Sequence, residues 1–417
     1  MGFRDDIFDV SPLDKTTNLS YRTCELTPCP SLMTLFIHLD LDCFFAAVET
    51  VLHPELRGVP LCVGGQRGGR GIVTCPNYEA RAYGVRTAMS VRAAEQLLPR
   101  GAVFLRGNHH LYGEYSRRVM TVLESFTPEV RQRSIDEALM EVGGCLHFWG
   151  HDPARMGQAI KDRVRTETGL TISAGVAPNP LCAKIAAGWR KPDGLVVIPH
   201  GEVQEFLAPL PVDVVPGIGK KTAPRLAMHG IRTVSDLIAR RPPRESWLGS
   251  LLRGLLDETG SSGRHDADAV EHSISRDRTF GQDTADREQI ESTLFLLTER
   301  CCKTLRAEGL AASTVTLKVR FADFTTVQKQ ETLPAAVVNE EQIFAAVLLL
   351  LGDLLPPWRF VRLVGVKVSH LSPLEGQQLT LDAGTSERLH ELHRRVDALQ
   401  ERFGEASVRW GRGVGTF

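Results

Sequence analysis

Apolar and polar residues in the first half of the chain follow a pattern that predicts a mixed α/β domain. The expected elements are, in chain order, a strand over 35–41, a strand pair within 129–142, a helix over 152–168, a strand over 170–176 and a helix from Pro180 to Ala187. Asn179 before Pro180 is typical of a helix cap followed by proline at the first helical position. This order predicts a ferredoxin-like α+β core that is interrupted by an insertion.

The second half of the chain carries another mixed pattern. Residues 199–256 predict several short helices, and the Gly-, Ser- and charge-rich stretch after them predicts a linker. The elements expected beyond the linker are strands over 273–280, 313–324, 327–333 and 361–370, helices over 287–306 and 340–351, and a last helix over 386–403. The first six of these form a four-stranded βαββαβ unit, and a polar tail from Ser372 precedes the last helix.

Length and composition favour a chain of several domains. With 417 residues it is long enough for two to four compact units. No apolar run reaches the roughly 20 residues that cross a bilayer, and the N-terminus lacks a basic segment followed by an apolar one. The nine cysteines are scattered without metal-finger spacing. We therefore expect a cytoplasmic monomer with reduced thiols and a disordered extension over 1–32, with Met33 as an alternative start.

The overall charge argues mildly against nucleic-acid binding. Lys and Arg total 49 and Asp and Glu total 50, so the net charge is -1. A dedicated polyelectrolyte binder is usually basic. Any contact with DNA must therefore rest on where individual charges are placed.

Two acidic clusters are the strongest chemical candidates. Asp40 ends an apolar strand, where a carboxylate is costly unless it is paired or bound to a metal. Asp136 and Glu137 lie in a predicted hairpin turn. Bringing the three together would require a cation, and hard oxygen ligands suit Mg²⁺. An acid at a strand end is usually a cap, however, and an acidic turn is usually solvated, so the pattern alone leaves both interpretations open.

A resemblance extends this interpretation. The segments that carry it are HLDLDCFFAAVE from His38, NYEARAYGVRTAMS from Asn77, SIDEALMEV from Ser134, SAGVAPNPLCAKIA from Ser173, KPDG from Lys191 and LPVDVVPGIGKKTAPRL from Leu210. In order and spacing they resemble the Y-family, or translesion, DNA polymerases, in the bacterial DNA polymerase IV (DinB) branch. The resemblance implies a template-directed, low-fidelity DNA polymerase that works by two-metal nucleotidyl transfer without proofreading. Its expected partners are primer-template DNA and deoxynucleoside triphosphates, and it has no membrane partner.

The resemblance also implies a right-hand polymerase fold. The expected parts are a ferredoxin-like palm over 33–42 and 105–198, small fingers over 43–104, a helical thumb with a helix-hairpin-helix over 199–257, a linker over 258–270, a βαββαβ little finger over 271–372 and a C-terminal tail over 373–417. Short fingers would close loosely over the nascent base pair. That looseness would allow synthesis on damaged templates.

Residues that match the family motifs take the following implied roles. Asp40, Asp136, Glu137 and the Leu41 carbonyl would hold two Mg²⁺ ions, whereas Asp42 would be mainly structural. Phe45 would be the steric gate beside the sugar, although from the residues alone a core aromatic is the more ordinary interpretation. The implied phosphate contacts are Tyr78, Arg81 and Lys191, while Lys184 stabilises the palm helix. Cys75-Pro76 stands where the family often has Thr-Ala, which removes a hydroxyl contact.

DNA and clamp contacts are the last set of predictions. Gly217, Gly219 and Lys220 resemble a hairpin that approaches a phosphate closely. In the little finger, which has 12 Lys and Arg against 13 Asp and Glu over 271–371, two pairs each share a strand face and could line a duplex while acids face outward: Arg276 with Arg278, and Lys318 with Arg320. The residues that resemble a sliding-clamp peptide are Gln378, Leu379 and Leu381. Asp382 replaces the usual Phe, so an ordinary polar tail stays an open alternative.

Two other functions remain as alternatives. One is a non-catalytic polymerase homologue that recruits partners, and the intact acidic residues argue against it. The other is a different palm-type phosphotransferase, such as a nucleotide cyclase, which would have no use for a thumb hairpin or a little finger. A primer-extension assay with each divalent ion separates the three.

Overall fold

The computed structural model describes residues 34–259, 273–355, 359–374, 383–404 and 407–408. The strands in this part of the chain are β1 Phe36–Leu41, β2 Leu61–Gly64, β3 Val73–Pro76, β4 Val103–Arg106, β5 Val130–Gln132, β6 Glu137–Glu141, β7 Ile172–Ala177, β8 Leu195–Val197, β9 Ser273–Thr284, β10 Leu310–Phe321, β11 Thr326–Val337 and β12 Val361–Pro373. The α-helices are α1 Phe44–Leu52, α2 Tyr78–Ala82, α3 Val91–Leu97, α4 His109–Glu124, α5 Pro153–Thr168, α6 Pro180–Trp189, α7 Val203–Leu207, α8 Thr222–Met228, α9 Val234–Arg240, α10 Trp247–Leu256, α11 Arg287–Ala307, α12 Glu340–Leu354 and α13 Ala383–Phe403. Short 3₁₀ segments lie at Pro54–Leu56, Gly143–Trp149 and Val212–Val214.

The chain divides into two compact units. The first contains the described residues of 1–40, 119–167 and 172–262, and the second contains those of 41–118, 168–171 and 263–417. None of the described helices is both long and apolar enough to cross a membrane.

A five-stranded sheet in the order β5-β6-β1-β7-β8 is the centre of the first unit. β1 lies in the middle, and β7 is buried along its whole length, as expected of strands covered on both faces. Helix α6 packs on β7 closely because position 175 is a glycine: a Cβ there would overlap the backbone of Ala183 and Ala187. The Asn179 side chain accepts from the Cys182 N–H, which confirms the predicted cap.

Four short helices, α7 to α10, complete the first unit, as predicted for 199–256. Their apolar residues share one core with helix α6 and include Leu207, Val234 and Leu255. A buried hydrogen bond of 3.0 Å from Asn179 Nδ2 to the Leu255 carbonyl ties the end of α10 to the start of α6. The helical part is therefore anchored beside the carboxyl end of β7.

The second unit contains two sheets. The smaller, in the order β3-β2-β4, packs with α1 and α2, and the larger has the antiparallel order β11-β10-β12-β9 with α11 and α12 packed against it. The larger sheet confirms the predicted βαββαβ unit, and Cys301 and Cys302 are buried in its core. β10 ends at Phe321, not at Phe324 as predicted, because Phe324 has φ of 65° in the following turn and cannot continue a strand.

Candidate active site

Strand pairing brings the predicted acidic residues to one place on the first sheet. β1 and β6 pair antiparallel, and Asp40 lies directly opposite Glu137. Side chains that face each other across such a pair lie on the same side of the sheet. Asp136 immediately precedes β6, so it lies beside the same pair.

Ser134 shapes the turn that presents Asp136 and Glu137. Its hydroxyl accepts from the backbone N–H of Glu137 at 3.0 Å and of Asp136 at 3.3 Å, and it donates to the Asp136 carboxylate at 2.5 Å. A short side chain that bonds the backbone two and three residues on is a common way to fix a turn. The serine of the SIDE segment therefore orients both acids.

Two lysines of the first unit contact these acids. Lys191 Nζ forms an ion pair with Asp40, and Lys184 Nζ lies 2.5 Å from Glu137 Oε2. Burial raises the pKa of Asp40, the Lys191 charge opposes that shift, and the charges of Asp136 and Glu137 raise the pKa further. The site is thus a cluster of acids that attracts positive charge.

His38 is a buried group for which the sequence indicated no role. It precedes Asp40 by two residues on the same face of β1, and its Nε2 lies 3.7 Å from Glu137 Oε2. Burial, with the charges of Lys184, Arg133 and Lys191, lowers the pKa of His38 to about 3, so the ring is neutral at pH 7. Among the described residues Nε2 has no hydrogen-bond partner.

These groups fit a divalent cation. The donors are carboxylate oxygens, which Mg²⁺ prefers, and the ammonium groups of Lys184 and Lys191 now supply the compensating positive charge. A different set forms the one group, within the described chain, in which three His, Cys, Asp or Glu ligand atoms lie within 4.8 Å: Glu340, Glu341 and His393 of the second unit. There the Arg306 guanidinium already contacts Glu340 at 2.8 Å, so that group is an ion-pair network and not a cation site.

A cavity of about 650 Å³ in the first unit joins Asp40 to the predicted hairpin. Its lining includes Asp40, Lys184, Gly217 and Gly219. Gly217 has φ of 95°, a conformation that favours glycine, and no atom lies within 4 Å of where a Cβ of Gly219 would be. The structure therefore brings the hairpin glycines to the same cavity as the first acid. Lys220 is exposed beside them.

The predicted nucleotide residues of the second unit lie on α1 and α2. The Arg81 guanidinium lies 5.0 Å from the centre of the Tyr78 ring, because residues three apart lie on one helical face. The Tyr78 hydroxyl lies 3.5 Å from Asp42 Oδ1. Asp42 follows the end of β1 at Leu41 and is buried. Its contact with Tyr78 agrees with the implied structural role.

The steric-gate candidate Phe45 is half-buried near the start of α1. Its ring stacks on Tyr112 with centroids 4.3 Å apart and an angle of 14°, and His109 lies edge-on at 5.6 Å. No pattern in the sequence predicts this aromatic group, because Phe45 and Tyr112 lie far apart in the chain and neither helix pattern specifies their contact.

Each of the two basic pairs of the little finger shares a strand face, as predicted, but the two pairs lie on opposite faces of the larger sheet. Arg276 and Arg278 lie opposite the buried residues Val366 and Val364, so they share the face covered by α11, and Arg276 donates to Thr304 of that helix at 3.0 Å. Lys318 and Arg320 lie on the other face, since their strand neighbours Leu317 and Val319 point into the core. Asp277 joins Lys318 there at 2.5 Å, so the acids do not all face away from the basic pair.

The remaining predictions fall outside the described residues. They concern the extension over 1–32, most of the linker over 258–270, and the clamp-like residues Gln378, Leu379 and Leu381.

Comparison with known proteins adds an independent observation. Three family models match: the impB/mucB/samB family over 39–188, the IMS family HHH motif over 200–231 and the impB/mucB/samB family C-terminal domain over 271–381. A solved Y-family DNA polymerase chimera superposes with a TM-score of 0.69 at 26% identity, covering 81% of this chain and 98% of that one. A DinB structure from Sulfolobus solfataricus superposes with a TM-score of 0.52 at 28% identity, covering 80% and 98%. The chain therefore belongs to the Y-family of DNA polymerases.

Its relatives narrow the assignment to the type called DNA polymerase IV. The enzyme of that name from Dehalococcoides mccartyi (strain CBDB1) is 38% identical over 380 residues, which are 90% of this chain and 96% of the relative. That from Methanoculleus marisnigri (strain ATCC 35101 / DSM 1498 / JR1) is 41% identical over 365 residues, 84% and 97% of the two chains. The predicted DNA-directed DNA polymerase of DinB type, with its right-hand fold, is confirmed.

Proposed function

We propose that this polymerase adds deoxynucleotides to a DNA primer by two-metal nucleotidyl transfer and has no proofreading activity. The observation that carries the proposal is the direct pairing of Asp40 with Glu137 across β1 and β6, with Asp136 in the adjoining turn. Neighbouring carboxylates repel one another unless positive charge compensates them, as Lys184 and Lys191 do here and as a metal ion would do in the complex. The primer 3′-oxygen would form a bond to the α-phosphorus, and the bond from that phosphorus to the β-phosphate oxygen would break to release pyrophosphate.

Asp40, Asp136, Glu137 and the Leu41 carbonyl are the groups that would hold Mg²⁺. When bound, Mg²⁺ activates the attacking hydroxyl and stabilises the leaving oxygen. Lys191 would exchange its Asp40 partner for a phosphate oxygen of the nucleotide, because the metal would neutralise Asp40. Lys184 would keep Glu137 oriented from helix α6.

The nucleotide would be bound by residues of the second unit. Arg81 offers planar donors to the triphosphate, and the Tyr78 hydroxyl offers another. Phe45 would exclude a ribose 2′-hydroxyl by van der Waals contact, since its ring is bulky and has only two side-chain torsions. The absence of a hydroxyl at Cys75 and Pro76 leaves more of the phosphate binding to Tyr78, Arg81 and Lys191.

Substitution of Asp136 or Glu137 tests the catalytic proposal. We expect each alanine variant to lose at least about a thousandfold in primer-extension rate, equivalent to about 4 kcal/mol of transition-state stabilisation, while DNA binding is largely kept. Asp162→Ala, an exposed acid on α5, serves as the control and should extend primers normally. Retained extension in a clean preparation of the Asp136 variant would contradict the proposal.

A primer-extension assay with each divalent ion in turn separates this function from its alternatives. Extension that depends on template, primer and Mg²⁺ supports the polymerase. DNA binding without extension would indicate a non-catalytic homologue. The alternative of a nucleotide cyclase no longer applies, because the chain belongs to the Y-family of DNA polymerases.

A sliding clamp is a further partner under the same proposal. The segment Gln378–Leu381 supplies the apolar residues of such a peptide, but Asp382 lacks the aromatic ring that fills a clamp pocket. A synthetic peptide of residues 373–385 should retain the clamp on a column, and its Leu379→Ala, Leu381→Ala variant should not. Equal retention by both peptides would contradict clamp binding.

A further inference from the structure

Helix α4 places an aromatic ring behind the candidate steric gate. Tyr112 is fully buried, and its ring lies nearly parallel to that of Phe45 with the centroids 4.3 Å apart. Phe44 lies at its edge, 6.3 Å away. One face of the Phe45 ring is therefore covered by a side chain that is itself enclosed.

A hydrogen bond fixes the Tyr112 ring in turn. Its hydroxyl donates to Glu49 Oε1 at 2.6 Å, and Glu49 is buried on the same helix as Phe45, one turn further along. Burial, and after it the Glu49 hydrogen bond, raise the pKa of Tyr112, so the phenol stays protonated and remains a donor. Phe45, Tyr112 and Glu49 thus form a closed group in which α1 holds both the gate and the anchor of its support.

We propose that Tyr112 is the positioning residue that sets the angle of the Phe45 ring and thereby the enzyme's discrimination against ribonucleotides. The inference rests on the proposed function of Phe45. The Phe45 ring excludes a ribose 2′-hydroxyl only if the ring is held in place. A ring that moves aside would turn the steric clash into an ordinary van der Waals contact. The stacked Tyr112 ring occupies the space into which Phe45 would retreat.

His109 contacts the rings of Phe45 and Tyr112 from the side. Its ring meets Phe45 edge-on at 5.6 Å and Tyr112 at 6.1 Å, with both angles near perpendicular. His109 is exposed, so it limits tilting of Phe45 toward solvent but restrains the ring less than Tyr112 does. The space beside these rings is a cavity of about 370 Å³ that is lined by Phe45, His109, Gly64 and Gly65. Without Tyr112 and His109 the Phe45 ring could turn toward it.

Tyr112→Leu tests the proposal, with Tyr115→Leu as the matched control. Tyr115 is a buried tyrosine on the next turn of the same helix, and its ring neighbours Arg118. The quantity measured is the ratio of kcat/KM for a deoxynucleotide to that for the matching ribonucleotide in single-nucleotide primer extension. We expect Tyr112→Leu to lower this ratio about tenfold, which is the effect of losing one aromatic stacking interaction. Tyr115→Leu should leave the ratio unchanged.

Two further variants separate the contribution of the stacked Tyr112 ring from that of its hydrogen bond to Glu49. Tyr112→Phe keeps the stacked ring and removes only the hydrogen bond to Glu49, so its ratio should lie between those of the wild type and Tyr112→Leu. Tyr112→Met fills most of the volume with a flexible side chain and should lower the ratio as Leu does. If Tyr112→Leu does not fold, the Met variant decides by the same criterion.

Each outcome is decisive. A folded Tyr112→Leu or Tyr112→Met variant with the wild-type ratio shows that Tyr112 is only a core residue and overturns the inference. Phe45→Val serves as the reference for the gate itself. If Phe45→Val lowers the ratio and the Tyr112 variants do not, this inference fails while the proposed function stands; if Phe45→Val has no effect, the gate assignment fails first.

Discussion

At the scale of single residues, Gly175 decides how closely helix α6 approaches strand β7. A Cβ at this position would overlap backbone atoms of the helix, which cannot rotate out of the way as a side chain can. We expect Gly175→Ala to lower the free energy of unfolding by more than about 3 kcal/mol, measured by urea denaturation. A displaced helix α6 would also displace β7, the strand that lies next to β1.

Gly188→Ala on the same helix is the control for Gly175. No atom lies within 4 Å of its Cβ position, so alanine should raise the stability by about 0.5–1 kcal/mol through its higher helix propensity. Equal effects at both positions would show that close packing at Gly175 is unimportant.

The sequence predicted the acids of the site but not what surrounds them. Asp40 stands out because it ends an apolar strand, and the Asp136-Glu137 pair because it lies in a predicted hairpin turn, whereas the pairing of Asp40 with Glu137 depends on the register of β1 and β6. The turn that presents Asp136 and Glu137 joins β5 to β6, and its serine hydrogen bonds are visible only in three dimensions. The contact of Phe45 with Tyr112 has no periodic signal at all, since it joins two helices.

At the scale of elements, helix α13 meets the little finger through charged groups. Arg306 of α11 forms two hydrogen bonds with Asp397 of α13 and one with Glu340 of α12. Apolar residues of α13, by contrast, are exposed: Leu392, Leu399 and Phe403. Helical periodicity predicted the helix correctly, but it would have placed its apolar stripe against the protein. Buried ion pairs attach α13 instead, and no periodic pattern in the sequence predicts them.

Arg306→Leu should destabilise the unit, because it removes the cation of this ion-pair network. Arg306 is buried, and its removal leaves Glu340 and Asp397 without their shared cation. We expect a loss of about 3–5 kcal/mol in the stability of the unit, measured by denaturant unfolding. Arg287→Leu on the same helix removes an exposed i,i+4 pair with Glu291 and should cost no more than about 0.5 kcal/mol. Similar losses in the two variants would argue against a special role for the buried arginine.

His393 gives the same network a dependence on pH. Burial lowers the pKa of His393, but the hydrogen bond and charge of Glu340 with the charge of Glu341 outweigh it and the repulsion from Arg306, so the net pKa is raised above 6.5. A raised pKa means that this stabilisation is complete below pH 6.5 and is lost as the pH rises through the folded-state value. The wild type should therefore lose its advantage over His393→Gln in melting temperature as the pH rises above 6.5. An advantage that is constant or grows with pH would contradict the assignment.

At the scale of the whole molecule, the near-neutral charge makes the placement of lysines decisive for DNA binding. Lys318 lies on the open face of the larger sheet beside Asp277, whereas Lys329 lies opposite buried Leu317 on the helix-covered face and contacts Asp353 of α12. The sequence predicted that strands alternate, but not which face the helices would cover. Lys318 and Lys329, which look equivalent in the sequence, therefore lie on opposite faces of the larger sheet.

Lys318→Ala should reduce the salt dependence of DNA binding. Removal of one ion pair with a DNA phosphate makes the slope of log K against log salt concentration shallower by about one. Anisotropy titrations of a labelled primer-template over a range of salt concentrations measure this slope, and Lys329→Ala should leave it unchanged. An equal change in both variants would show that the open face is not the DNA-binding surface.

The central position of β1 has a consequence for biosynthesis. The strand ends at residue 41, while its neighbour β6 begins at residue 137 and β7 at residue 172. At typical ribosomal rates of about 5–20 residues per second, this strongly apolar segment waits on the order of 5–20 s before its first pairing partner is translated. Because an apolar strand without its partner is prone to aggregation during that interval, we expect β1, the strand that carries Asp40, to be a site where chaperones bind the nascent chain.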